Sequence, residues 1–156
     1  MSLRLDPIER EQVHAHLVRA YPEEGCGVLV GRDEGTWRVV ERVVVFENQR
    51  TDSRRNRYLI TPEQLLVVER EARQEGLDVV GFFHSHPDHP AFPSAFDLEH
   101  AWPYYSYLIV SVADGRVGEA RAWRLAADRA RFEPEAIEPV PAAPVPPESQ
   151  SSESPR

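Results

Sequence analysis

Gly81-Phe82-Phe83-His84-Ser85-His86-Pro87-Asp88-His89-Pro90-Ala91-Phe92-Pro93-Ser94-Ala95-Phe96-Asp97 is the most informative stretch of the chain. The apolar run from Leu77 to His84 reads as a buried strand, and it delivers two histidines two positions apart. Side chains at i and i+2 share one face of a strand, so both imidazoles can reach a single ion. Three prolines between Pro87 and Pro93 predict a stiff loop. Ser94 then opens a short helix that ends before Pro103 and carries Asp97 in its first turn. The loop can return that carboxylate to the histidines. Two imidazoles, one carboxylate and a position left for water form a catalytic zinc shell. The spacing therefore predicts one zinc per chain, held by His84, His86 and Asp97. Zinc brings the pKa of a water it binds down to about 7 and can polarise a carbonyl.

Each of these residues also has a plainer reading. A lone His-x-His is often a solvated loop feature, and Ser94-x-x-Asp97 is a capping box. The cap and the metal role are compatible. His14 and His16 repeat the His-x-His spacing on a predicted helix. There they lie about 200° apart and cannot converge, so they are assigned to the surface or to helix packing. His84-Ser-His-Pro-Asp-His89 also spells the His-x-His-x-Asp-His of metallo-β-lactamase-like hydrolases. The chain is short for that fold, and only His100 follows as a further histidine. Asp88 and His89 are expected in the loop, near the site entrance.

Working outward, Asp6-Pro7 reads as a cap followed by proline at the first helical position. Ile8, Val13, Leu17 and Val18 suggest its buried stripe. Cys26 to Gly31 and Trp37 to Phe46 read as strands joined at Asp33-Glu34-Gly35. Tyr58 to Ile60 is a candidate short strand. Thr61-Pro62 starts a second helix that runs to about Glu75 and closes at Gly76. Ser106 to Val112 and Val117 to Leu125 flank the turn Asp114-Gly115. The order α-β-β-α-β-α-β-β predicts an α/β fold, a mixed sheet flanked by helices.

The 156 residues suffice for one domain. Residues 133–156 hold seven of the fourteen prolines, with five glutamates against one arginine. They read as a disordered acidic, Pro-rich tail, which places a folded domain at 1–132. The formal net charge of −8 disfavours nucleic acid and anionic membranes as partners. No apolar run approaches the roughly 20 residues of a membrane span, and acid and proline come too early for a signal peptide. Cys26 is the single cysteine, which rules out an intrachain disulfide and fits a cytoplasmic location. It reads as a core residue.

On these residues the chain resembles the JAMM, or MPN-plus, metalloprotease family. The family pattern is His-Ser/Thr-His-Pro, six residues, then Ser-x-x-Asp, matched by His84-Ser85-His86-Pro87 and Ser94-Ala95-Phe96-Asp97. An upstream glutamate precedes Cys-Gly by two residues, matched by Glu24-Gly25-Cys26-Gly27. The resemblance spans about Asp6 to Leu125. It implies a cytidine-deaminase-like, JAMM/MPN-type domain in which His84, His86 and Asp97 bind zinc. Glu24 is then the general base, Ser94 the oxyanion donor and Ser85 a residue that positions the ligands. The register selects Glu24 over Glu23. The implied substrate is a peptide or isopeptide bond after the C-terminal Gly-Gly of a ubiquitin-like or sulfur-carrier protein. The spacing after Asp97 leaves no room for a long insertion and matches the compact prokaryotic type. Arg50, Arg54, Arg55 and Arg57 read as a solvated basic loop or as a contact for an acidic carrier. A metallo-β-lactamase-like hydrolase, expected to bind two metals, and a non-catalytic MPN-type scaffold are the alternatives.

Overall fold

The computed structural model describes residues 1–48 and 60–141. Strands β1 (Ser2–Arg4), β2 (Cys26–Asp33), β3 (Trp37–Phe46), β4 (Asp78–Pro87), β5 (Ser106–Ala113), β6 (Arg116–Leu125) and β7 (Phe132–Glu138) form one sheet in the order β1-β3-β2-β4-β5-β6-β7. It is mixed. β4 runs parallel to β5, and β1 runs parallel to both β3 and β7, while the other pairs are antiparallel. The β1–β7 pairing closes the sheet into a barrel. Helices α1 (Pro7–Ala20), α2 (Pro62–Gln74) and α3 (Ala95–His100) complete the fold.

Two cores lie on opposite faces of the central strands. One gathers Val13 and Leu17 of α1 with Leu29, Phe83, Leu108 and Val110. The other gathers Val68 and Ala72 of α2 with Val28, Phe82, Tyr107 and Ile109. Successive residues of β5 from Tyr107 to Val110 alternate between these cores, as the period of two requires, while in β4 the alternation shifts at the irregularity between Val79 and Gly81. A strand buried on both sides reads as a continuous apolar run, which is why Val79–Phe83 shows no polar alternation.

Several expectations change. The folded chain continues past Phe132: β7 pairs with β6 and β1, and Glu135 is buried against Arg124 at 2.6 Å. The folded domain therefore includes β7 to Glu138, beyond the end expected at 132. The three-residue β1 is equally new. Both strands are short and rich in charge or proline, and only their neighbours bury them. In α1, Ile8 is 70% exposed and Val18 38%, whereas Val13 and Leu17 are fully buried. Ile8 and Val18 each lie five residues from Val13, about 140° around the helix, so they leave the buried stripe. Asp6 occupies the cap position without making a cap bond; its Oδ1 accepts the Val140 N–H at 2.9 Å. Thr61, by contrast, forms a full capping box with Gln64. The strand suggested at Tyr58 and the basic residues Arg50, Arg54, Arg55 and Arg57 lie outside the described residues, as does the tail beyond Pro141. Among the described residues no helix is long and apolar enough to cross a membrane.

Candidate metal centre and its surroundings

β4 extends through both histidines to Pro87, because β2 and β5 pair with it on either side. Cys26 lies opposite His84, and Ile109 flanks it on the other side. His84 and His86 share the face that carries Phe82, and Ser85 points to the other. The proline loop then turns the chain so that α3 sets Asp97 against the two rings. Asp97 Oδ1 lies 3.3 Å from His84 Nε2, Asp97 Oδ2 lies 3.1 Å from His86 Nε2, and the two Nε2 atoms are 3.3 Å apart.

The separation of the two ring nitrogens tests whether a metal fits. Tetrahedral coordination with bonds of about 2.0–2.1 Å requires ligand-to-ligand edges of about 3.3–3.4 Å. The 3.3 Å between the two Nε2 atoms lies close to this, and Asp97 turns one oxygen to each ring, which places its carboxylate against both. His86 Nδ1 donates to the Pro90 carbonyl at 2.8 Å, since a carbonyl can only accept. In the neutral ring Nε2 then keeps its lone pair directed at the site, the orientation that a ligating histidine needs. Among the described residues His84, His86 and Asp97 form a group that could hold a metal ion. His89 is outside it. That residue is exposed, and its carbonyl accepts from Ser111 Oγ at 2.7 Å. His14 and His16 are outside it too, with His16 Nε2 2.9 Å from the Phe46 carbonyl oxygen.

The upstream block meets this group through β2. Ser85 N–H donates to Gly25 O at 3.1 Å, and Gly25 N–H donates to Ser85 Oγ at 2.8 Å. Extending that register sets Glu24 across from His86, on the same face. Glu24 is 4% exposed, and its Oε1 is buried without a hydrogen-bond partner among the described residues. Glu23 is only half-buried. Burial pushes the Glu24 carboxyl up to about 7, against the opposing pull of His84 and His86. A buried, unpartnered acid beside a ligand set is the sort of group that active sites arrange. Burial lowers the His86 affinity for protons, but hydrogen bonds to Asp97 and Pro90 outweigh it and leave the ring raised. Burial likewise raises Asp97, yet the two histidines and the Ser94 N–H hold it far below the carboxylate range. Cys26 is pushed up to about 12 by burial, so its thiol stays protonated and belongs to the core.

Ser94 serves as expected at the helix start. Its Oγ accepts Asp97 N–H at 3.1 Å, and its own N–H donates to Asp97 Oδ2 at 2.9 Å. The residue is exposed. Ser85 touches Gly25 rather than a ligand, so it ties the Glu24 segment to β4. Two features carried little sequence signal. Tyr21 O–H donates to the Asp88 carboxylate, 2.8 Å to the nearer oxygen, which joins the end of α1 to the loop after His86. A cleft of about 840 Å³, lined mainly by aromatic side chains, also opens beside His84 and Asp97. Its aromatics are scattered through β4, α3, the following loop, β5 and β7, and no local spacing connects them.

The prokaryotic homologs of the JAB domain match residues 8–126 of this chain. This chain belongs to that family. Within it, a probable TtuB-protein conjugate cleaving protease from Thermus thermophilus is 38% identical over 99 residues. That match covers 64% of this chain and 63% of the relative, less than two thirds of the relative's length. A desampylase from Haloferax volcanii is 40% identical over 103 residues, 65% of this chain and 70% of the relative. The solution structure of a protein from Desulfitobacterium hafniense is 32% identical, with a TM-score of 0.78 over 90% of this chain and 94% of its own. A JAB1/MPN domain protein from Archaeoglobus fulgidus, 15% identical with a TM-score of 0.53 over 88% of this chain and 99% of its own, shares the fold. The JAB-domain reading places both motif blocks, Glu24-Gly25-Cys26-Gly27 and His84 to Asp97, inside the matched residues.

Proposed function

We propose that this JAB-domain protein is a zinc-dependent peptidase or isopeptidase. Its substrate would be the bond after the C-terminal Gly-Gly of a ubiquitin-like or sulfur-carrier protein. The observation that carries the reading is the convergence of His84, His86 and Asp97 at contact distances of 3.1–3.3 Å, with buried Glu24 facing them. The conjugate-cleaving name of the Thermus relative supports the substrate class.

His84, His86 and Asp97 would hold zinc, which would acidify a water molecule and draw electron density from the scissile carbonyl. Glu24 takes the proton of the attacking water and passes it to the leaving amine. The Glu24 carboxyl is buried and faces the ligand residues, which sets a proton carrier beside the reacting centre. The exposed Ser94 hydroxyl donates to the carbonyl oxygen as charge develops there. The capping box holds that hydroxyl against Asp97. Ser85 keeps the Glu24 segment in register. The substrate's glycines allow its backbone to approach this crowded centre. A single inert cysteine accords with a cytoplasmic setting.

The test is incubation of the purified protein with Gly-Gly-terminated carrier fusions, with and without chelator, beside metal analysis. Chelator-sensitive cleavage after Gly-Gly and one zinc per chain are expected. Stoichiometric metal without cleavage of any fusion would overturn the substrate assignment. Absence of metal would favour a scaffold.

A further inference from the structure

Tyr104 has φ 91°, a left-handed backbone conformation that bulky residues rarely adopt. Such strain persists only where the surroundings over-determine it, and here they do. The Arg38 guanidinium carbon sits 4.4 Å above the centre of the Tyr104 ring. Arg38 is itself 2% exposed, donating to Val80 O and to Ser106 Oγ, each at 3.1 Å. The Asp33 carboxylate lies 3.8 Å from Arg38 Nε. The Tyr105 ring packs edge-on against Tyr104 at 5.1 Å. A buried arginine thus fixes a half-exposed tyrosine as one wall of the cleft beside His84 and Asp97.

The cleft's shape and place indicate its occupant. A volume of about 840 Å³ exceeds what two glycines or one released amino acid would fill. Its lining of Tyr104, Tyr105, Tyr107, Phe96, Phe82 and Leu65 suits bulky apolar side chains. The direction follows from the proton. The leaving amine must lie beside Glu24 to receive it. The cleft includes His84 and Asp97 but not Glu24, so it receives the acyl side of the scissile bond.

We propose that Tyr104, fixed by Arg38, determines specificity by walling an aromatic cleft that binds a bulky apolar residue just upstream of the substrate's Gly-Gly. The inference rests on the proposed function above.

The experiment compares fusions ending in Leu-Gly-Gly, Phe-Gly-Gly, Ser-Gly-Gly and Asp-Gly-Gly, each with and without chelator. The apolar tails should be cleaved with kcat/KM at least about tenfold above the polar ones. Tyr104→Gly suits the positive φ, so it removes the ring without endangering the fold. It should bring the apolar-to-polar ratio towards one, mainly through KM. Tyr104→Phe keeps the ring over Arg38 and should keep the ratio. Equal cleavage of all four tails by the wild type, or an undiminished ratio in Tyr104→Gly, overturns this inference alone. No chelator-sensitive cleavage of any tail overturns the reading beneath it as well.

Discussion

Glu24 combines two properties that usually exclude each other: it is buried beside a ligand set, and among the described residues its Oε1 has no hydrogen-bond partner. Glu24→Gln preserves shape and removes the proton carrier. Metal content should stay at one per chain while kcat falls by about 10²–10⁴; His84→Ala should lose the metal as well. Metal analysis and single-turnover cleavage on the same preparations check this, and full activity in Glu24→Gln would remove the general-base assignment. The same residue sets a pH signature in the metal-free protein. Its folded pKa of about 7 lies above the ordinary 4.5. Between those values the folded state binds the extra proton, so the Glu24 contribution to stability falls as pH rises and is lost above about 7. Glu24→Gln should therefore gain about 1–3 kcal/mol over chelated wild type on going from pH 5 to pH 8. Denaturant unfolding at both pH values measures it, and a pH-independent difference would contradict the raised pKa.

At the scale of elements, the site depends on the seam between β2 and β4. Ser85 Oγ accepts the buried Gly25 N–H across that seam. Ser85→Ala leaves the donor without its acceptor, which should cost about 1–3 kcal/mol in stability. It should also lower kcat more than metal affinity, because the bond holds the Glu24 segment rather than a ligand. A loss of metal affinity with kcat unchanged would return Ser85 to the ligand-positioning role that the resemblance implies. Gly27 lies two residues further along the same seam, opposite Phe83. A Cβ there would fall on the Phe83 ring and on the Val44 carbonyl oxygen. Gly27→Ala should destabilise by about 1–3 kcal/mol, read as a lower denaturant midpoint. The glycine of the Cys-Gly element is thus explained by space for a core aromatic.

For the whole molecule, closure of the barrel depends on two short strands at opposite ends of the chain. β7 gives β1 a parallel partner and supplies Glu135 to Arg124. A chain ending at Phe132 loses both and should melt several degrees lower or fail to fold. One ending at Pro141 should retain the full-length Tm. Thermal melts of the two truncations decide it, and equal Tm values would mean that closure contributes nothing to stability.

The amino-acid sequence by itself determined the candidate ligand group. His84, His86, Ser94 and Asp97 sit within fourteen residues, where strand alternation and a helix cap restrict the side chains to a few directions. The turns and caps were legible for the same reason: Gly76 and Gly115 take the positive φ that glycine favours, and Thr61 caps α2. Tertiary structure alone decided what depends on pairing across long separations. Glu24 meets His86 only because β2 runs against β4, a strand distant in the chain. β1 and β7 have no apolar run of their own and exist through their neighbours. The wall at Tyr104 needs Arg38 from β3 beneath it, a contact that no local pattern encodes.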